Sequence, residues 1–279
     1  MRFTKMQGCG NDYVYVDCFA GRVAEPSALA RRIADRHFGV GGDGLILIEP
    51  SERADAFMHM FNADGSEGAM CGNGVRCVAK YLYDHALVPP ERRSVRVDTR
   101  AGVREITFRA EGGKAAELTV DMGAPRLTSR LPEAITVAGL PLRYVGVDVG
   151  NPHAVCFLED NPALGASSVS ELALERLGRA FETHPRFPDR VNAEFIDVVS
   201  PREINFRVWE RGSGETLACG TGAAAAVYAG IRAGRLAHEV LVHLAGGDLT
   251  LRFAPESARV YLTGEAVEVF TGDYPTEDA

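Results

Sequence analysis

The chain has no Cys-x-x-Cys pair, and no two histidines stand at metal-ligand spacing beside its cysteines, so no metal site is expected. Its longest apolar run, Leu217 to Ile231, is largely Ala and Gly and falls short of the roughly 20 residues that cross a bilayer. No membrane partner is expected. The opening residues Met1 to Gly8 carry no apolar stretch of signal-peptide type, and the cytoplasm is the expected compartment. Basic stripes are missing too. With 30 Lys and Arg against 38 Asp and Glu the net charge is −8, which argues against nucleic acid as a partner. The acidic balance reads as solubility. Six cysteines would permit three disulfides, but a chain of 279 residues can bury enough core to need none. Reduced thiols are the default, and Cys18, Cys77 and Cys156 lie among apolar neighbours as small core residues.

What is present is a repeat. Met70-Cys71-Gly72-Asn73-Gly74 and Ala218-Cys219-Gly220-Thr221-Gly222 each place Cys-Gly-x-Gly at the head of an apolar, helix-compatible stretch. Phe61-Asn62 and Trp209-Glu210 precede the two cysteines at equal offsets, as do Glu67 and Glu215, and further upstream Gly44 and Asn192. Gly10-Asn11 and Gly150-Asn151 keep the same order at looser offsets. The chain is read as two halves that each build one half-site.

The pattern of elements supports that division. Pro26 to His37 reads as a helix begun near Ser27, and Ser170 to Glu182 as its counterpart. Gly39 to Gly44 follows a helix and enters a strand, the reverse of a dinucleotide fingerprint, and reads as a tight turn. Glu111 to Lys114 is the best linker candidate and motivates closing of the halves on a substrate. Strands outnumber helices and hairpin turns outnumber crossovers. The expected fold is therefore α+β, two antiparallel sheet domains each associated with a helix. A last strand, Ala266 to Thr271, is expected to pair back with the first half. The expected domains are 1–113 plus 264–279, and 114–263.

A Cys at a helix N-terminus sits where partial positive charge favours the thiolate. The Gly-x-Gly that follows leaves backbone N–H groups open to a carboxylate. Two such ends on one cavity would hold a substrate carboxylate with one sulfur on each face of its α-carbon. One thiolate would take the α-proton and the opposite thiol would supply another, while the N–H donors stabilise the developing charge. That is racemisation or epimerisation by two bases, without a cofactor. A single Cys before a helix is more often a packed core residue; two in matched Gly-flanked settings reverse that judgement. Asn11 and Asn73 taken singly are turn formers, and Glu210-Arg211 taken alone is a solvated edge. His153 near a thiol would tune its ionisation, and Glu210 with Arg211 could bind an amino group and a carboxylate.

At these residues the chain resembles the diaminopimelate epimerase family. The motifs are Gly8-Cys9-Gly10-Asn11-Asp12-Tyr13, Phe61-Asn62-Ala63-Asp64-Gly65-Ser66-Glu67, Met70-Cys71-Gly72-Asn73-Gly74-Val75-Arg76-Cys77, Gly150-Asn151-Pro152-His153, Val191-Asn192 and the run from Glu210 to Gly222. The resemblance implies two pseudo-symmetric domains, each a barrel-like sheet around a central helix, with the active site in the cleft between them. It implies conversion of LL-2,6-diaminopimelate to the meso form without metal or pyridoxal phosphate, by a homodimer. Cys71 and Cys219 match the catalytic thiols, and His153 and Glu210 match residues thought to tune them. Gly72, Asn73, Gly220 and Thr221 match positions that hold the reacting carboxylate. Asn11, Asn62, Asn151, Asn192, Glu210 and Arg211 match substrate-binding positions. Where some members carry Gln, this chain has Gly44, which leaves only a backbone contact there.

Two rivals are weighed. A proline or hydroxyproline racemase resembles the same architecture, but the asparagines with Glu210 and Arg211 would be left unpaired by proline. A redox switch would need Cys71 and Cys219 close enough to bond, whereas an epimerase needs a carbon between them.

Overall fold

Residues 1–275 are described by a computed structural model. In chain order its first elements are β1 (Arg2–Gly8), β2 (Asn11–Asp17), α1 (Pro26–Ile33), β3 (Gly44–Glu49), β4 (Ala56–Asn62), β5 (Glu67–Gly68), α2 (Gly72–Asp84), β6 (Ser94–Asp98), β7 (Arg104–Glu111) and β8 (Lys114–Gly123). There follow β9 (Arg126–Leu127), β10 (Glu133–Val137), β11 (Leu140–Asp148), β12 (Pro152–Phe157), α3 (Leu174–Glu182), β13 (Asn192–Ser200), β14 (Glu203–Glu210), β15 (Gly214–Glu215), α4 (Gly220–Arg232), β16 (Glu239–Leu244), β17 (Gly247–Ala254), β18 (Arg259–Gly264) and β19 (Val267–Asp273). The chain divides into two compact units, Met1 to Val120 with the segment from Gly264 onward, and Asp121 to Thr263.

In the first unit the strands neighbour one another as β19, β1, β2, β3, β4, β6, β7, β8, with β5 also on β4. The last strand pairs with the first from Arg2↔Asp273 onward, as its sequence position suggested. Of these pairings only β2 with β3 and β4 with β6 run parallel among the described residues, because those pairs are joined by the crossovers that hold α1 and α2. The second unit repeats the scheme: β10, β11, β12, β13, β14, β16, β17, β18, with β9 on β11 and β15 on β14. Its parallel pairs are again the two that span helices, β12 with β13 and β14 with β16.

Each unit wraps its sheet around one helix. Every residue of α2 except Asp84 is buried, and the helix touches β19, β1 and β2 on one side and β6 and β7 on the other. Its two cations are satisfied internally: Lys80 Nζ donates to Ala115 O at 2.7 Å and pairs with Asp84 at 2.8 Å. In the second unit α4 is nearly all small, Gly220-Thr-Gly-Ala-Ala-Ala-Ala226, which lets β11, β12, β13 and β17 approach it closely. Among the described residues no helix is long and apolar enough to cross a membrane.

Three local expectations are corrected. Helix α1 stops at Ile33 because Asp35 Oδ1 accepts the N–H groups of His37 and Phe38, at 2.7 and 2.8 Å, offering the backbone a turn instead of another helical rung. Ser27 does not cap it; its hydroxyl donates to Gly65 O at 2.6 Å. The stretch from Ser170 splits into a 3₁₀ turn, Val169–Glu171, and α3. Glu111 to Lys114 is no linker: it is a two-residue hairpin turn, Glu111 pairing with Lys114 across Gly112 and Gly113 at φ 56° and 79°. Positive φ at both central residues is what a tight antiparallel hairpin requires and what glycine tolerates.

Candidate active site

In the first unit Cys71 is the N-cap of α2, with extended backbone (φ −130°, ψ 122°), and its Sγ accepts the N–H of Gly74 at 3.3 Å. Gly72 and Asn73 are the first two helical residues, whose N–H groups have no acceptor within the helix. Asn11, at the start of β2, accepts the Cys71 thiol on Oδ1 at 3.1 Å. Its Nδ2 donates to Asp43 Oδ2 at 2.7 Å, and Asp43 also takes the Asp12 N–H at 3.0 Å. Arg36 clamps Asp12 and Asp43 from outside. Burial pushes the Asp43 carboxyl above the ordinary range. Burial also raises Asp12, but hydrogen bonds from Arg36 and Lys5 outweigh it and hold Asp12 below that range. Beneath the cap lies Arg76, fully buried, donating to Asn73 Oδ1 at 3.0 Å, Gly72 O at 3.3 Å and Glu265 O at 3.3 Å. Asn73 is therefore fixed by Arg76, and Asn62 by Ser66 Oγ at 3.0 Å.

The second unit builds the same cap with different neighbours. Cys219 precedes α4 with φ −129° and ψ 106°, and its Sγ accepts the Gly222 N–H at 3.4 Å. Gly220 and Thr221 are the first two helical residues, and Thr221 Oγ1 lies 3.5 Å from the sulfur. Asn151 donates Nδ2 to Thr221 Oγ1 at 3.3 Å and presents Oδ1 to His153 Nε2 at 2.9 Å. The other ring nitrogen, Nδ1, lies 2.6 Å from Glu194 Oε1. At the head of β13, Asn192 accepts the Arg211 N–H on Oδ1 at 2.9 Å and donates to Pro152 O at 3.3 Å. Glu210 ends β14 and accepts the Thr216 hydroxyl, and the Arg211 guanidinium donates to Asp189 O at 3.2 Å.

Part of the expected set is gathered at the helix caps, Asn11, Gly72 and Asn73 around Cys71 and Asn151, Gly220 and Thr221 around Cys219, whereas Asn62, Asn192 and Arg211 donate to Ser66, Pro152 and Asp189. Among the described residues His153 makes no hydrogen bond to the sulfur and is linked to it through Asn151 and Thr221. Gly44 is a strand residue flanked on both sides, opposite Tyr13 and Asn62. A Cβ there would lie 2.0 Å from Phe61 O, so this backbone has no room for a side chain at that position.

One electrostatic expectation is reversed. Cys219, only 5% exposed, has its thiol pushed well above the ordinary range by burial first and then by the Glu210 and Glu194 carboxylates, against a smaller lowering by Thr221. Desolvation and two like charges outweigh the helix end. Three residues were missed: Asp43, Arg76 and Glu194. Arg76 announced itself as a cation one turn into an apolar helix. Glu194 lies two residues beyond Asn192 and so on the same face of β13.

The two caps belong to a class of fold shared with racemising and epimerising enzymes. Over 98% of this chain and 91% of its own, a hydroxyproline epimerase from Agrobacterium vitis superposes with a TM-score of 0.73 at 18% identity. That likeness carries the fold alone. The diaminopimelate epimerase family model matches residues 3–128 and 145–269, and the chain belongs to that family. A diaminopimelate epimerase of Agathobacter rectalis is 45% identical across 98% of this chain and 99% of its own. One from Desulfovibrio desulfuricans is 47% identical across 98% of each.

Proposed function

We propose that this protein interconverts LL- and meso-2,6-diaminopimelate by a two-base mechanism in which Cys71 and Cys219 act on one α-carbon. The observation that carries the reading is the matched pair of caps: two cysteines with nearly the same backbone angles, each sulfur 3.3 to 3.4 Å from the N–H of the third helical residue. The N–H groups of Gly72, Asn73, Gly220 and Thr221 bind the reacting carboxylate and stabilise charge as the α-proton leaves. One sulfur, as thiolate, takes that proton; the other, as thiol, gives its own to the opposite face. The turnover ends with the two protonation states exchanged, so the reverse reaction starts from the product form. Asn11, Asn62, Asn151, Asn192, Glu210 and Arg211 bind the polar groups of the substrate, Gly44 contributes backbone alone, and His153 and Glu210 set the ionisation of the thiols. Each compact unit supplies one thiol, and the chemistry needs no cofactor. A cytoplasmic homodimer completes the reading, with the mass in light scattering as its check.

The test is proton NMR of LL-diaminopimelate with reduced protein in deuterated water, beside a proline control. Loss of the α-proton signal with growth of the meso isomer supports the reading. Exchange of proline alone assigns the racemase rival. Exchange of neither, with reduced thiols verified, removes the two-base reading altogether. Cys71→Ala and Cys219→Ala each abolish epimerisation and assign the faces.

A further inference from the structure

The two units place their strands in matching register, so positions can be compared across the repeat. Tyr13 pairs with Gly44 in the first unit as His153 pairs with Asn192 in the second. Two residues further along, Ile46 therefore corresponds to Glu194. The space around the helices agrees. A Cβ on Gly74 would meet Ile46 Cδ1 at 2.9 Å, and a Cβ on Gly222 would meet Glu194 Oε1 at 2.9 Å. The same site beneath the third residue of a Cys-capped helix thus holds a core isoleucine in one unit and a fully buried carboxyl in the other.

A buried carboxyl at a core position is costly unless its proton and partners are arranged. Glu194 Oε2 has no hydrogen-bond partner among the described residues, and Oε1 is spent on His153 Nδ1. As far as Thr221, the chain onward from His153 has only one consistent direction. Asn151 Nδ2 can only donate, and it donates to Thr221 Oγ1; its Oδ1 can only accept, so His153 Nε2 carries a proton. Having accepted from Asn151, the Thr221 hydroxyl still holds its own hydrogen and can give it to Cys219 Sγ when that sulfur is the thiolate.

We propose that Glu194 is a positioning residue: by sharing one proton with His153 Nδ1 it holds His153 as an Nε2–H donor, and through Asn151 it turns the Thr221 hydroxyl toward Cys219. The role of Cys219 rests on the epimerase reading, but the test needs no turnover. The charged groups that face the sulfur are Glu194 from β13 and Glu210 from β14. A purely through-space role of the Glu194 carboxylate would have the opposite sign from the relay.

Long-range proton–nitrogen correlation spectra of ¹⁵N-histidine protein, with His153 assigned through His153→Gln, read the native tautomer. A proton on Nε2 is expected; a ring protonated at Nδ1 alone overturns the inference without any Glu194 variant. Iodoacetamide labelling at fixed pH, followed by peptide mass spectrometry, then reads thiolate at each site. Glu194→Met, which can offer no proton to Nδ1, is expected to slow labelling of Cys219 about threefold, equivalent to half a pKa unit, and to leave Cys71 unchanged. In a Thr221→Val background the same substitution should have no effect. Faster labelling of Cys219, unchanged labelling, or an equal slowing in the Thr221→Val background each overturns the relay. Loss of epimerase activity with the relay intact would count against the proposed function instead.

Discussion

Cys77 offers the cleanest test of the burial physics that also sets Cys219. It lies inside α2 with no exposed surface, and burial pushes its thiol from 9.0 up to about 11. The folded protein therefore keeps a proton that the unfolded chain releases. The sign follows: Cys77 contributes its full stability below about pH 9 and loses it as pH rises towards 11. Between about pH 8 and about pH 10.5 the loss integrates to about 2 kcal/mol for this one thiol. Other buried thiols and phenols add to the alkaline limb, so the quantity to measure is a difference. Urea unfolding of the native protein and of Cys77→Ala, followed by circular dichroism across that range, supplies it. At about pH 8 the variant should be less stable by about 1–2 kcal/mol, from lost packing. Near pH 10.5 the gap should close or invert, because alanine has no proton to lose. Parallel pH curves for the two proteins would refute the reasoning and remove its support from Cys219 as well.

The same direction at Cys219 predicts that kcat/KM for the direction needing Cys219 as base rises about tenfold per pH unit through the neutral range; a flat profile below about pH 9 would contradict it. Asn11→Asp places a third carboxylate beside Asp12 and Asp43 and directly against the Cys71 sulfur. Labelling of Cys71 should slow about tenfold with Cys219 unaffected, as peptide mass spectrometry would record. Gly44→Gln forces a Cβ to within 2.0 Å of Phe61 O; we expect a loss of about 3 kcal/mol or more, and a melting temperature within about 2 °C of native would show that the strands shift easily.

The repeat was legible because it is written in residue types that cannot be exchanged freely: glycines at helix starts, a capping thiol, an asparagine at a strand head. The equal spacing of Gly44 and Asn192 ahead of the two cysteines matches their equivalent pairing with Tyr13 and His153. Local competition was less legible. Asp35 ends α1 with its own side chain inside a pattern that still looks helical, and Gly112-Gly113 is as good a hairpin turn as it is a linker. Glu194 escaped notice for a different reason. Its stretch of β13, Asn192 to Ile196, is buried at every residue, so no alternation marks a face and a single acid passes for a strand edge. Burial of Cys219 is likewise a property of packing that spacing does not carry.

A duplicated scaffold by itself supplies two thiols in the same surroundings, and equal surroundings would leave a shared proton with no preferred owner. In this chain the backbone around the two caps is conserved across the repeat, down to the N–H held by each sulfur. The side chains are not. Asn11 takes the Cys71 thiol directly and leans on Asp43, whereas Asn151 is turned away from Cys219 towards His153 and reaches the sulfur through Thr221. Glu194 in place of Ile46, together with Glu210 in place of Asn62, puts two carboxyls near Cys219. Burial and these carboxyls favour the protonated form of Cys219. For the two-base reaction this asymmetry is useful: it favours a free protein that keeps the Cys219 thiol. The substrate that enters must suit a thiol at Cys219, and the opposite epimer must wait for that proton to move. Solvent-exchange rates of the two epimers should accordingly differ in the native protein and converge in Glu210→Gln, which removes a carboxylate beside Cys219 and leaves the Glu194 relay in place. Equal rates in the native protein would mean that the asymmetry of the caps has no kinetic consequence.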